Sequence, residues 1–229
     1  MNSISILYCI SIVSLCAFLF FYFFHRNLVY TPSTLDHRSY LVRNLPDKTE
    51  AANLLAKIRA KMIELIHFLK DKYPLKKSIA LLEHRFQPDQ IRESEEYSQY
   101  TSYSINKGEQ IIFCLRSKDG NNTLISENTL FFVALHELGH IMTVSVGHTK
   151  EFWDNFRFLL AHAIHLTLYI PENFKDHPVP YCGTHITDSP LALSDIPRYL
   201  EFDKVPSKAS YGEEISETKI VPIEKDGKE

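Results

Sequence analysis

Cysteine is scarce in this chain. It has four among 229 residues, and two of them, Cys9 and Cys16, lie in an apolar N-terminal run. That excludes a disulfide-built scaffold and leaves Cys114 and Cys182 in the body, either as a pair in an oxidising compartment or as two reduced thiols. Glycine is also scarce. Seven residues exclude collagen-like and glycine-rich low-complexity chains. No sign of charge dominates, since the net charge is −3. All of that excess lies in residues 201–229, which hold eight acids and five bases, so residues 1–200 balance at zero. A neutral body argues against a dedicated nucleic-acid binder, which carries a basic excess. No internal repeat is visible. With 45% hydrophobic residues the chain is long enough for one folded domain plus appendages.

One stretch lacks charge altogether, Ile4 to Phe24. As a helix it is about 31 Å long, the thickness of a bilayer's hydrocarbon core. It has no charged segment before it and ends in Phe20-Phe21-Tyr22-Phe23-Phe24, a poor cleavage context, so it reads as an uncleaved anchor over residues 1–26. His25, Arg26, Arg38 and Arg43 follow it, which places the body on the cytoplasmic side, or inside a virion. Asn121-Asn122-Thr123 is a glycosylation sequon, relevant only to a lumenal domain.

Residues 27–46 read as a linker and 201–229 as a disordered polar tail, leaving a domain over 47–200. Within it, apolar residues from Leu54 to Leu69 recur at helical spacing and predict one helix from Asp47 to Tyr73, ended by Pro74. A shorter helix is expected over Lys77 to His84. The lysines and arginines of these helices read as a solvated face. Tyr100–Asn106 and Gln110–Arg116 predict a hairpin across Asn106-Lys107-Gly108-Glu109. Helical spacing returns over Glu127–Val146, capped by Ser126 and ended by Gly147, and again over Lys150–Tyr169. Residues 172–200 are proline-rich and read as irregular.

The first of these last two helices carries His136-Glu137-Leu138-Gly139-His140. Histidines four apart share a helix face and can take two corners of a zinc tetrahedron. Glu137 can act as general base toward a water that zinc acidifies. A catalytic zinc keeps three protein ligands, and His148, directly after Gly147, supplies the third, with Glu151 as its rival. Gly139 leaves room for another element to approach the helix. Phe152, Trp153 and Phe156 read as the core face of the next helix, with Trp153 buttressing His148. His162 and His165 are a weaker second pair. Tyr181 or His185 is a candidate to hydrogen-bond a developing oxyanion. Cys182 is instead a candidate for the open zinc position, and Tyr103 and Ser104 for the lining of a substrate cleft.

Leu135–Trp153, LHELGHIMTVSVGHTKEFW, resembles the SprT-like and WLM metallopeptidases, which follow HExxH with a nearby Gly-His or Pro-His and then Phe or Phe-Trp. Thr101–Pro190, with TSYSINKG, IIFCLR and YCG, is similar to WLM-related proteins of large DNA viruses that carry an N-terminal membrane segment. The resemblance implies one zinc per chain held by His136, His140 and His148, Glu137 as base, and a protein or peptide substrate. It also implies a compact α+β zincin-like fold: a hairpin, the active-site helix and supporting helices. Families of this kind are best known from proteases acting on DNA-crosslinked protein, which a membrane-tethered neutral chain fits poorly. A non-catalytic membrane-anchored assembly protein that keeps the fold is the alternative.

Overall fold

The structure is a computed structural model that describes residues 3–24 and 27–200; the expected tail at 201–229 lies outside the described residues. The elements, in chain order, are α1 (Ser3–Phe24), β1 (Leu28–Pro32), β2 (Ser39–Arg43), α2 (Lys48–Lys72), α3 (Lys77–Arg85), β3 (Ile91–Glu93), β4 (Tyr103–Ile105), β5 (Gln110–Phe113), α4 (Glu127–Met142), α5 (Lys150–His165), β6 (Val179–Tyr181), β7 (Thr184–Ile186) and α6 (Ile196–Leu200). The class is mixed α+β, as expected.

The 22 residues of α1 include no charged side chain. Its side chains are described only at Tyr8 and over residues 10–19. Among the described residues no helix is long and apolar enough to cross a membrane. The expected span over residues 4–24 is thus not carried by the structure.

Residues 27–46 are not a linker. β1 and β2 pair antiparallel, with Val29 opposite Val42, and open a five-stranded sheet of order β1-β2-β3-β5-β4. Pro32 had suggested a break, but it closes an edge strand, where a missing N–H costs no ladder bond. β2, β3 and β5 run parallel. Parallel neighbours need a long crossover, and α2 with α3 provides the first one. The expected hairpin is β4–β5, with Tyr103 opposite Ile112. Its turn strings together three positive φ values: Asn106 at 46°, Lys107 at 56° and Gly108 at 111°.

The core lies between the sheet and the helices. α2 buries the predicted stripe, Leu54, Leu55, Ile58, Met62, Leu65, Ile66 and Leu69. α4 is buried on all sides from Thr129 onward, so it is the central helix of the domain. Burying such side chains contributes about 1.5–3 kcal/mol each. Ser126 caps α4, its hydroxyl accepting from Thr129 N. The helix stops at Met142, earlier than expected. There the Thr143 hydroxyl donates to Gly139 O at 2.7 Å, and its backbone turns extended (ψ 141°). α5 stops at His165, short of the expected Tyr169, and Thr167 follows with a φ of 56°.

The stretch 172–200 is less irregular than expected. It holds the β6–β7 hairpin, in which Tyr181 pairs with Thr184 around Cys182 and Gly183 at positive φ. A type I′ turn of this sort favours Asn-Gly, so a cysteine there is unusual. The explanation is covalent. Cys182 is disulfide-bonded to Cys114, just after β5. The bond excludes Cys182 as a zinc ligand.

A candidate metal centre

α4 presents His136 and His140 on one face, and the loop after it returns His148 to the same point. The His136 Nε2 lies 3.2 Å from the Nε2 of His140 and 3.2 Å from that of His148. All three ligand atoms lie within 4.8 Å of one another. Tetrahedral bonds of about 2.0–2.1 Å to nitrogen, the usual zinc values, separate neighbouring ligand atoms by roughly 3.3 Å. The observed spacing matches that edge.

Protonation agrees with the geometry. Burial, followed by the charges of His140 and His148, holds the His136 imidazole well below its ordinary pKa. Burial, His148 and Lys107 push His140 down to about 3. Neutral imidazoles are the form that binds metal. The donor set therefore fits a zinc ion. Glu137, buried on the same helix, stands beside the cluster.

His148 sits in the Thr143–Thr149 connection, which charged side chains from three elements hold in place. Arg85 of α3 donates to Ile141 O and Thr143 O, both at 3.1 Å. Lys107 of the β4–β5 turn donates to Thr143 O and Ser145 O. These cations also meet the negative end of the α4 dipole. Glu151 of α5 accepts from Val144 N and Ser145 N, each at 3.2 Å, and from the Ser145 hydroxyl at 2.9 Å. Glu151, the rival third ligand, is thus an anchor of the loop that carries His148. Gly147 lies in this loop at φ +78°, downstream of the helix end it was expected to form.

The remaining candidates separate cleanly. Tyr181 is buried; its phenol contacts the Ser102 hydroxyl at 2.5 Å, and that hydroxyl accepts from Cys114 N at 3.1 Å. Burial raises the Tyr181 phenol, the Ser102 hydrogen bond lowers it and the charge of Glu137 raises it. His185 is exposed, and strand alternation turns it to the face of β7 away from Thr184 and Ile186. Tyr103 sits on the edge strand β4, half-buried, its ring 5.2 Å from Tyr100; Ser104 follows it on that strand. His162 is no metal ligand: Nδ1 meets Phe158 O at 2.8 Å and Nε2 meets the Tyr73 hydroxyl at 2.9 Å.

Sequence reasoning missed Arg85, Lys107 and Ser102 altogether. Only Lys107 had a local signal, its place in a tight turn next to Gly108.

The WLM domain model matches residues 34–210. An uncharacterized protein of Acanthamoeba polyphaga mimivirus is 32% identical over 166 residues, covering 71% of this chain and 84% of that protein. Uncharacterized proteins of invertebrate iridescent viruses 6 and 3 are 42% and 39% identical over 82 residues each, covering 35% and 36% of this chain and 44% and 49% of those proteins. Among solved structures, Wss1 from Saccharomyces cerevisiae aligns with a TM-score of 0.41 at 19% identity, covering 54% of this chain and 84% of that one. Over more than half its length, then, the chain matches one family: it belongs to the WLM domain family.

Proposed function

We propose that the chain is a zinc-dependent metalloendopeptidase. The observation that supports this best is the convergence of three imidazole nitrogens at 3.2 Å contacts beside a buried glutamate on the same helix. His136, His140 and His148 would hold one zinc. Bound there, zinc supplies Lewis acidity toward a water and a peptide carbonyl. Glu137 takes the proton of the attacking water and passes it to the leaving amine. Tyr181 is the group that would hydrogen-bond the developing oxyanion. The edge strand β4, with Tyr103, offers unpaired backbone to an extended peptide. Backbone pairing of that kind selects extended chain over particular side chains, so the substrate class is unfolded or loop segments of proteins. Nothing in the charge distribution favours nucleic acid.

We also propose that residues 4–24 tether the domain to a membrane, on the strength of their uncharged, apolar sequence alone. The flanking basic residues favour the cytoplasmic side or a virion interior; the Cys114–Cys182 bond favours an oxidising compartment. Carbonate extraction tests the tether, and protease protection decides between the two sides.

The test of activity uses the full chain in detergent. Wild type is expected to carry about one zinc and to cleave an unfolded protein. Glu137→Gln should keep the zinc and lose cleavage by 10²- to 10⁴-fold. Zinc bound with no cleavage by wild type of any protein offered would turn the reading toward a structural assembly protein.

A further inference from the structure

The three histidine rings share a wall. Phe152, fully buried at the first turn of α5, lies with its ring centroid 4.3 Å from that of His140, nearly parallel at 29°. It is 4.9 Å from His136 and 4.7 Å from His148, both edge-on. Its place is made by Gly139. A Cβ there would lie 3.1 Å from the Phe152 ring, so only a residue without one lets the ring reach the histidines unhindered. Trp153, 5.4 Å from His148, flanks the same ring from the outside.

Imidazole orientation governs where a ring nitrogen's lone pair points. Each ring turns about two side-chain bonds, and packing against a flat neighbour restricts those turns. We infer that Phe152 is a positioning residue: it holds all three imidazoles in the ligating orientation before a metal arrives, and Gly139 is glycine so that it can. The inference rests on reading the three histidines as a zinc site. Phe152 touches neither substrate nor zinc; it acts through the rings.

The test measures zinc affinity of the full chain in detergent by competition with a chromophoric chelator, together with the visible spectrum of the cobalt-substituted protein. Phe152→Leu keeps an apolar side chain but removes the flat wall. Zinc affinity should fall about tenfold or more, as for other groups that orient metal ligands, and the cobalt bands of a tetrahedral site should weaken. Phe174→Leu is the control for lost packing: Phe174 is equally buried, but its ring contact is with Phe132. It should lower thermal stability without changing zinc affinity. If Phe152→Leu fails to fold, Gly139→Ala applies the same test by pushing the ring away. Wild-type zinc affinity in Phe152→Leu, or an equal loss in Phe174→Leu, would overturn the inference. Wild type binding no zinc at all would overturn the metal reading itself, and the inference with it.

Discussion

Two sets of histidines sit on neighbouring helices, and each includes a deeply buried ring. On α4, His136 and His140 lie four residues apart; on α5, His162 and His165 lie three apart. His136 and His162 are both fully enclosed. Burial lowers His140 to about 3 and His162 to about 4, whereas His165 is exposed. By burial and protonation His162 looks like the histidines of α4, and the hydrogen-bond accounting separates them. The Nδ1–H of His162 is spent on Phe158 O, and its Nε2 accepts from the Tyr73 hydroxyl. His136 instead points its Nε2 at two other ring nitrogens. Neutral imidazoles facing each other in that way share too few protons to satisfy three acceptors, and a cation satisfies all of them. Where the lone pairs go, rather than how deep the rings lie, marks the metal site.

The strongest way to break this comparison is to delete one histidine from each set. His136→Ala should take zinc from about one per chain to near zero by elemental analysis. His162→Ala should leave zinc in place. It opens a cavity and strands the Tyr73 hydroxyl, so unfolding stability should fall by about 3 kcal/mol. A folded His162→Ala protein without zinc would show that the two sets are not independent.

Acid sharpens the same contrast. His162 is about 4 in the folded chain, against an ordinary 6.5 when unfolded. The unfolded chain therefore binds the proton first. The stability held by the neutral His162 is complete above about pH 6.5 and is lost as the pH falls toward 4. The shift is worth about 3 kcal/mol at 1.36 kcal/mol per pH unit. Denaturant titrations of metal-free protein across that window should show the loss in wild type, and about that much less of it in His162→Gln. An identical acid loss in both would assign it to other groups.

The candidate site was legible to the extent that it is local. The spacing of His136, Glu137 and His140, and the room Gly139 leaves for Phe152, follow from one helix and one neighbour. The helix end was misplaced because Gly147 is a strong stop signal, whereas the real stop is a side-chain bond from Thr143 back to Gly139, which no residue preference announces. Glu151 looked like a ligand because it carries a carboxylate at a usable distance. Its work on the backbone of Val144 and Ser145 depends on where α5 docks. β1, β2 and β3 escaped notice because they are three to five residues long and depend on partners far along the chain: Leu41 meets Arg92, and Ile91 meets Ile111. The Cys114–Cys182 bond stayed one of two alternatives for the same reason, since the two residues are 68 apart.

The smallest expected effect concerns how the third ligand is delivered. His162 rides inside a continuous helix, whereas His148 depends on a loop whose preceding residue, Gly147, stands at φ +78°. A Cβ at Gly147 would meet nothing within 4 Å, so Gly147→Ala tests backbone strain without a clash. Holding an alanine in that left-handed region costs about 1 kcal/mol. The loop can relieve the strain only by leaving the conformation that presents His148, and the zinc then has to restore it. The loss of zinc affinity is therefore capped by the strain itself, about fivefold, with one zinc per chain retained at saturation. Arg85, Lys107 and Glu151 oppose the relaxation, and whatever strain the metal-free loop does not relieve appears as lost stability, so the drop in metal-free stability and the loss of zinc-binding free energy together come to about 1 kcal/mol. A loss well beyond fivefold would mean that the substitution disturbs the zinc-bound loop by more than backbone strain. No loss at all, with stability reduced, would mean that these three side chains alone fix His148, and that Gly147 only lets the chain pass.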